Sequence, residues 1–119
     1  GILATVGTVS SGSYQAKLEA EGLCYAVPDE KEQRWLMELI YDDVKAGKGA
    51  EMDKFYAVVR HMKEKGCDRM ILGCTELSVI NRDIGGDPIL TDSLEVLANV
   101  AIKLCGHETV GFSPEFDLK

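Results

Sequence analysis

Arg69-Met70-Ile71-Leu72-Gly73-Cys74-Thr75-Glu76-Leu77 is the stretch on which the fold turns. Arg69–Leu72 follows the helix-stopping Gly66 and reads as the third strand. It delivers Gly73, Cys74, Thr75 and Glu76 at its carboxyl end, where a short helix starts. Outward from here the same alternation repeats. Upstream, Glu51–Lys65 reads as a helix with Met52, Phe55, Tyr56, Val59 and Met62 on one face and Gly66 as its C-cap. Before it, Asp29 and Glu32 form a capping pair that opens a helix striped by Leu36, Leu39, Ile40 and Val44 and broken at Gly47-Lys48-Gly49.

Ile2–Val6 reads as the first strand, Gly7–Gly12 as a loop and Ser13–Glu21 as the first helix. Leu23–Val27 reads as the second strand, stopped by Pro28. Downstream, Pro88–Leu90 is the fourth strand, and Asp92 with Glu95 opens a last helix whose buried side is Leu94, Leu97, Ala98 and Ala101, ended by Gly106. Thr109–Phe112 reads as a fifth strand or a tail. This alternation predicts an α/β fold: a doubly wound, three-layer, flavodoxin-like domain over residues 1–112, with a mostly parallel sheet of four strands, or five. Residues 113–119 form a polar tail.

The chain has 119 residues, 45% of them hydrophobic and 28% charged, enough apolar material for a core without a metal or disulfide staple. Twenty acidic against 13 basic residues give a net charge of −7. That argues against nonspecific binding to nucleic acid or to an anionic membrane, both of which need a basic face. No apolar stretch reaches the length of a membrane span. Cys24, Cys67, Cys74 and Cys105 form no Cys-x-x-Cys pair, and neither His61 nor His107 stands at zinc-ligand spacing from them. The expectation is therefore no metal, and a cytoplasmic protein with reduced thiols, Cys24 and Cys105 lying in the core. Gly1 in place of Met, with a core strand starting at once, suggests that an upstream part lies outside this sequence.

In such a sheet, ligands bind beyond the carboxyl ends of the strands. Two loops lie there. Gly7–Tyr14 (GTVSSGSY) offers the hydroxyls of Thr8, Ser10, Ser11 and Ser13 and backbone N–H groups leading into a helix, a cradle for a carboxylate or phosphate. Read without a ligand, it is a glycine- and serine-rich turn. Its Gly7 and Gly12 have the spacing of a phosphate loop, but Ser13 stands where the lysine belongs, so a nucleotide-binding module is the weakest reading. Gly73–Leu77 (GCTEL) places Cys74 at a helix N-terminus, where free N–H groups favour a thiolate. A cysteine at a strand end is also commonly inert.

GCTEL at Gly73–Leu77, LATVGTVSSGSY at Leu3–Tyr14 and IYDDVKAG at Ile40–Gly47 together resemble the aspartate/glutamate racemase family, in its aspartate-racemase-like branch. The order and separation of the three motifs match, and the resemblance extends to about Cys105. It implies two similar α/β halves with the active site between them, this chain being the C-terminal one. It also implies catalysis by two cysteines without pyridoxal phosphate, other cofactor or metal, Cys74 serving as one acid/base. The partner cysteine belongs to a Cys-Asn-Thr motif of the N-terminal half, and no such motif occurs here. By the same resemblance Thr8, Ser10, Ser11, Gly12, Lys45 and Thr75 hold substrate carboxylates, and Glu76 orients the amino group or a donor. The implied substrate is an acidic amino acid or related dicarboxylate, and the implied partners are the missing half and a possible second copy in a homodimer. Hydantoin racemases, maleate isomerases and arylmalonate decarboxylases share the architecture, and a noncatalytic carboxylate-binding module is the reading from a different class.

Overall fold

The computed structural model describes residues 1–112. It is a mixed α/β fold built on three parallel strands in the order β1 (Ile2–Leu3), β2 (Met70–Leu72) and β3 (Leu90–Asp92). Ile2 pairs with Ile71 and Leu3 with Leu72; Met70, Ile71 and Leu72 pair in turn with Leu90, Thr91 and Asp92. The helices are α1 (Val6–Ser11), α2 (Ser13–Ala20), α3 (Glu30–Glu38), α4 (Met52–Glu64), α5 (Thr75–Asp83) and α6 (Ser93–Leu104). A π-helical segment, Leu39–Val44, continues α3. None of these helices is long and apolar enough to cross a membrane.

The core follows from spacing. Leu36, Leu39 and Ile40 face Phe55, Val58, Val59 and Met62 of α4, and both sets close over Leu3, Met70, Leu72 and Leu90 of the sheet with Leu77 and Ile80 of α5. In α4 the buried positions are 55, 58, 59 and 62, one helical face. Val58 is fully buried there, while Tyr56, expected in the stripe, is half exposed.

Several expectations change. Among the described residues the sheet has three strands, not four or five. Leu23–Val27 runs beside β1 but gives it one ladder bond, from Ile2 N–H to the Ala26 carbonyl at 3.0 Å. Leu23, Cys24 and Tyr25 are exposed there, so the burial that would favour a full ladder is missing. Thr109–Phe112 forms no strand, and its Gly111 has a φ of +82°. Ser113–Lys119 lies outside the described residues.

The first strand stops at Leu3 because Thr5 caps a helix, and Gly7–Ser11, expected as loop, is helical. On α6 the intended inner face is partly inverted: Leu94, Leu97 and Ala101 are exposed and Asn99 is the buried residue. The apolar stripe exists, but the sheet ends at β3 and no described element covers it. Cys24 lies on the exposed edge and Cys105 at the end of α6, so both are exposed rather than core.

Glu32 fastens α3 to α4. It is 1% exposed. The capping pair read from the sequence is present: Asp29 accepts from Glu32 N–H at 2.8 Å and Glu32 accepts from Asp29 N–H at 2.6 Å. The same carboxylate meets Lys65 Nζ at 2.8 Å and His61 Nδ1 at 3.0 Å, both from the end of α4. Burial alone would raise its pKa; the Lys65 and Asp29 N–H bonds outweigh that and hold it low. A lowered carboxylate stabilises the fold above its unfolded pKa, and that contribution disappears as pH falls through the lowered value. Glu32→Gln should therefore cost about 1–2 kcal/mol at neutral pH. The gap to wild type should close in acid, below about pH 4. Urea unfolding at pH 7 and at acidic pH checks this; a gap that persists unchanged in acid would assign the loss to packing.

Candidate active site

The carboxyl ends of β1 and β2 lie in close contact. Gly73 N–H donates to the Leu3 carbonyl at 2.8 Å. A Cβ on Gly73 would stand 2.9 Å from the Ala4 methyl and 3.2 Å from a Tyr14 ring carbon. Only a glycine lets the two strand ends approach in this way. The junctions that follow, Thr5 into α1 and Cys74 into α5, are thereby set side by side.

Cys74 is the N-cap of α5, extended at φ −149° and ψ 155°. The thiol is part-buried. Burial pushes its pKa up; the backbone N–H groups of Leu77 and Glu76 pull it down; the charge of Glu76 and its hydrogen bond to the thiol push it up again, and the net direction is up. The helix N-terminus thus does not make a ready thiolate here. The sulfur is held as a thiol against a carboxylate.

Glu76 accepts from the Thr75 hydroxyl at 3.2 Å and pairs with Lys45 Nζ at 3.7 Å. Burial would raise its pKa, but its own N–H, Thr75, Lys45 and the Cys74 thiol hold it low, so it is a carboxylate at neutral pH. Lys45 arrives from the far end of the π-helical segment, where its N–H donates to the Ile40 carbonyl five residues back at 3.0 Å. The wide turn brings Lys45 back over Ile40, five residues earlier, and its side chain pairs with Glu76 of α5. Its ammonium also stands 4.2 Å from the centre of the Tyr41 ring, a cation–π contact.

Cys74, Thr75, Glu76 and Lys45 therefore form one cluster. Thr8 sits on the neighbouring junction, where its N–H and hydroxyl both meet Thr5 Oγ1, at 3.3 and 3.1 Å. Ser10, Ser11 and Gly12 lie further along, at the joint between α1 and α2. Ser10 is exposed. Ser11 Oγ donates to the Thr8 carbonyl at 2.7 Å, and Gly12, at φ +70°, donates its N–H to Val9. Those groups organise the joint itself. Thr5 and Tyr41 were not singled out from the sequence. A threonine three residues before Thr8 is a capping signal, and Tyr41 stands four residues before Lys45, within reach on a helix.

A cavity of about 540 Å³ opens at the other end of the strands, lined in part by Cys24, Tyr25, Cys67 and Arg69 and not by Cys74. It is separate from the cluster.

Residues 1–101 match the family model of Asp/Glu/hydantoin racemases. The chain belongs to the Asp/Glu/hydantoin racemase family. Among solved structures it is similar to Picrophilus torridus aspartate racemase, with TM-score 0.72, 29% identity, and coverage of 97% of this chain and 47% of that one. It is also similar to a putative Asp/Glu racemase from Yersinia pestis, with TM-score 0.66, 25% identity, and coverage of 77% and 41%. A curated relative, an uncharacterized protein in the pnlA 3′ region of Pectobacterium carotovorum subsp. carotovorum, is 34% identical over 84 residues, which are 67% of this chain and 53% of that protein. The chain thus spans about half the length of the relatives it matches.

Two outcomes test the geometry of this racemase-family cluster. Gly73→Ala should force the strand ends apart and cost about 1–3 kcal/mol, since backbone-anchored Ala4 cannot give way as a flexible side chain would; chemical denaturation measures it, and an unchanged midpoint would refute the close contact. Glu76→Gln removes the charge that raises the Cys74 pKa, so the pH midpoint of Cys74 alkylation should fall and alkylation at pH 7 should accelerate. A midpoint that stays or rises would show that Glu76 does not act on the thiol.

Proposed function

We propose that this chain supplies one half of a cofactor-independent amino-acid racemase acting on an acidic amino acid, with Cys74 as one of two acid/base groups. The observation that carries the reading is the placing of Cys74 at the head of α5 beside Glu76, itself paired to Lys45, in a chain of the racemase family. Racemisation removes the Cα proton from one face and returns a proton to the other. A thiolate takes the first proton and a thiol gives the second, and the roles exchange for the opposite enantiomer. Cys74, kept protonated by burial and Glu76, is suited to the giving role in the resting site. The second cysteine, absent from this sequence as a Cys-Asn-Thr motif, comes from the other half of the protein.

Lys45 provides a point positive charge for a substrate carboxylate, and taking it would loosen its 3.7 Å pair with Glu76. Thr75 and Thr8 offer hydroxyls at the two neighbouring junctions, with Ser10, Ser11 and Gly12 behind them. No pyridine ring or metal is needed to hold the carbanion-like transition state if these donors and the α5 N–H groups stabilise the carboxylate side of the substrate. We also read the protein as cytoplasmic, in keeping with four unpaired cysteines among the described residues.

The test is α-proton exchange in D₂O, followed by NMR, for the full-length protein with L- and D-aspartate and glutamate. Exchange with inversion is expected, and Cys74→Ser should abolish inversion. Exchange only with a hydantoin or maleate would move the substrate class; no exchange with any of them would leave a carboxylate-binding role.

A further inference from the structure

The segment that carries Cys74 is fastened on both sides to the junction of β3 and α6, at Asp92 and Ser93. Two residues before the cysteine, the Leu72 carbonyl accepts from Ser93 Oγ at 2.6 Å. The β2–β3 ladder ends at the Leu72–Asp92 pair, and this hydroxyl extends it by one bond as the chain turns into α6. Four residues after the cysteine, the Ser78 hydroxyl donates to Asp92 Oδ1 at 2.7 Å, a buried pair. Ser78 also closes on the cysteine itself, its N–H and hydroxyl lying 3.3 and 3.4 Å from the Cys74 carbonyl. The Asp92 carboxylate is in turn held by the N–H groups of Leu94 and Glu95 at 2.9 and 3.4 Å.

This double attachment matters because of what acts on the sulfur. The groups that draw the Cys74 pKa down are backbone N–H groups of the first turn of α5. Their pull decays within that turn and weakens steeply with poor alignment. A small rotation of the Leu72–Ser78 segment would therefore unbalance burial and hydrogen bonding at the thiol.

We infer that Ser93 and the Ser78–Asp92 pair are positioning residues for Cys74, clamping the strand-to-helix segment so that the thiol keeps its place at the head of α5. Their importance for turnover rests on the racemase reading; the clamp itself does not. The test is the rate of Cys74 alkylation by iodoacetamide against pH in the full-length protein, read by mass spectrometry on the tryptic peptide Met70–Arg82, in which Cys74 is the one cysteine. Ser93→Ala and Ser78→Ala should each raise the alkylation midpoint and slow alkylation at pH 7 by roughly threefold or more, because a thiol moved from the head of α5 is less favoured as thiolate by the first-turn N–H groups. Ser93→Thr, which keeps the hydroxyl, should retain the wild-type profile. Circular dichroism selects variants that hold the fold, and either alanine variant suffices. A midpoint unmoved or lowered in the alanine variants overturns the inference, as does a Ser93→Thr profile equal to that of Ser93→Ala. Amino-acid exchange measured alongside separates the two claims: a shifted midpoint in a protein that exchanges no substrate refutes the racemase reading and leaves the clamp standing.

Discussion

The contact between Gly73 and the end of β1 is the constraint on which the site depends. One hydrogen bond, Gly73 N–H to Leu3, and one missing side chain bring two parallel strands close enough that the chain leaves both at the same point. After β1 the chain turns into α1 through the Thr5 cap, and after β2 it turns into α5 through Cys74. In a parallel sheet this edge is where helix N-termini gather and where ligands bind. Widening the gap between the strands by one methyl group would separate the Thr5–Thr8 hydroxyls from the Cys74 cluster. The large core under these strands, from Leu36 to Ile80, keeps that edge rigid.

Charge at the cluster is arranged in series. Lys45 offsets Glu76, the charge of Glu76 raises the thiol's pKa, and the α5 N–H groups oppose the burial of the sulfur. The outcome is a thiol beside a carboxylate whose charge Lys45 offsets. A cysteine at a helix start is ordinarily expected to lean toward thiolate. Here burial and a neighbouring carboxylate win, because the N–H contribution from one short helix is the smaller effect. Away from this edge, Glu32 does comparable work for the frame: one buried carboxylate serves as a cap for α3 and as the ion-pair partner of Lys65 and His61 on α4.

Much of this was visible as local pattern. Asp29 and Glu32 are a capping box at the spacing that signals one, and Asp92 caps α6 as its position suggests. The buried stripe of α4 and the strand before Cys74 follow from periodicity alone. Other features depend on distant residues and leave no local trace. Lys65 sits in a run of charges that reads as a solvated face, yet it crosses to Glu32. His61 looks idle among charged neighbours and makes the third contact of the same carboxylate. Gly7–Ser11 carries glycine and serine, which favour turns, but the Thr5 cap and the following α2 draw it into a helix. Leu23–Val27 has the composition of a strand and lacks the neighbours that would complete its ladder.

The amino-acid sequence by itself determined the α/β alternation, the helix starts, the core stripe of α4 and the placing of Cys74, Thr75 and Glu76 at a strand-to-helix junction. These depend on near neighbours, through side-chain periodicity and capping. The tertiary structure alone decided that Lys45 reaches Glu76, since a π turn with no sequence signature sets its direction. It also decided that α6 shows its leucines to solvent while its N-cap Asp92 and first residue Ser93 grip the Cys74 segment. Which face of a helix is buried, and which way a thiol titrates, are set by what the fold packs against them, and those neighbours lie far away along the chain.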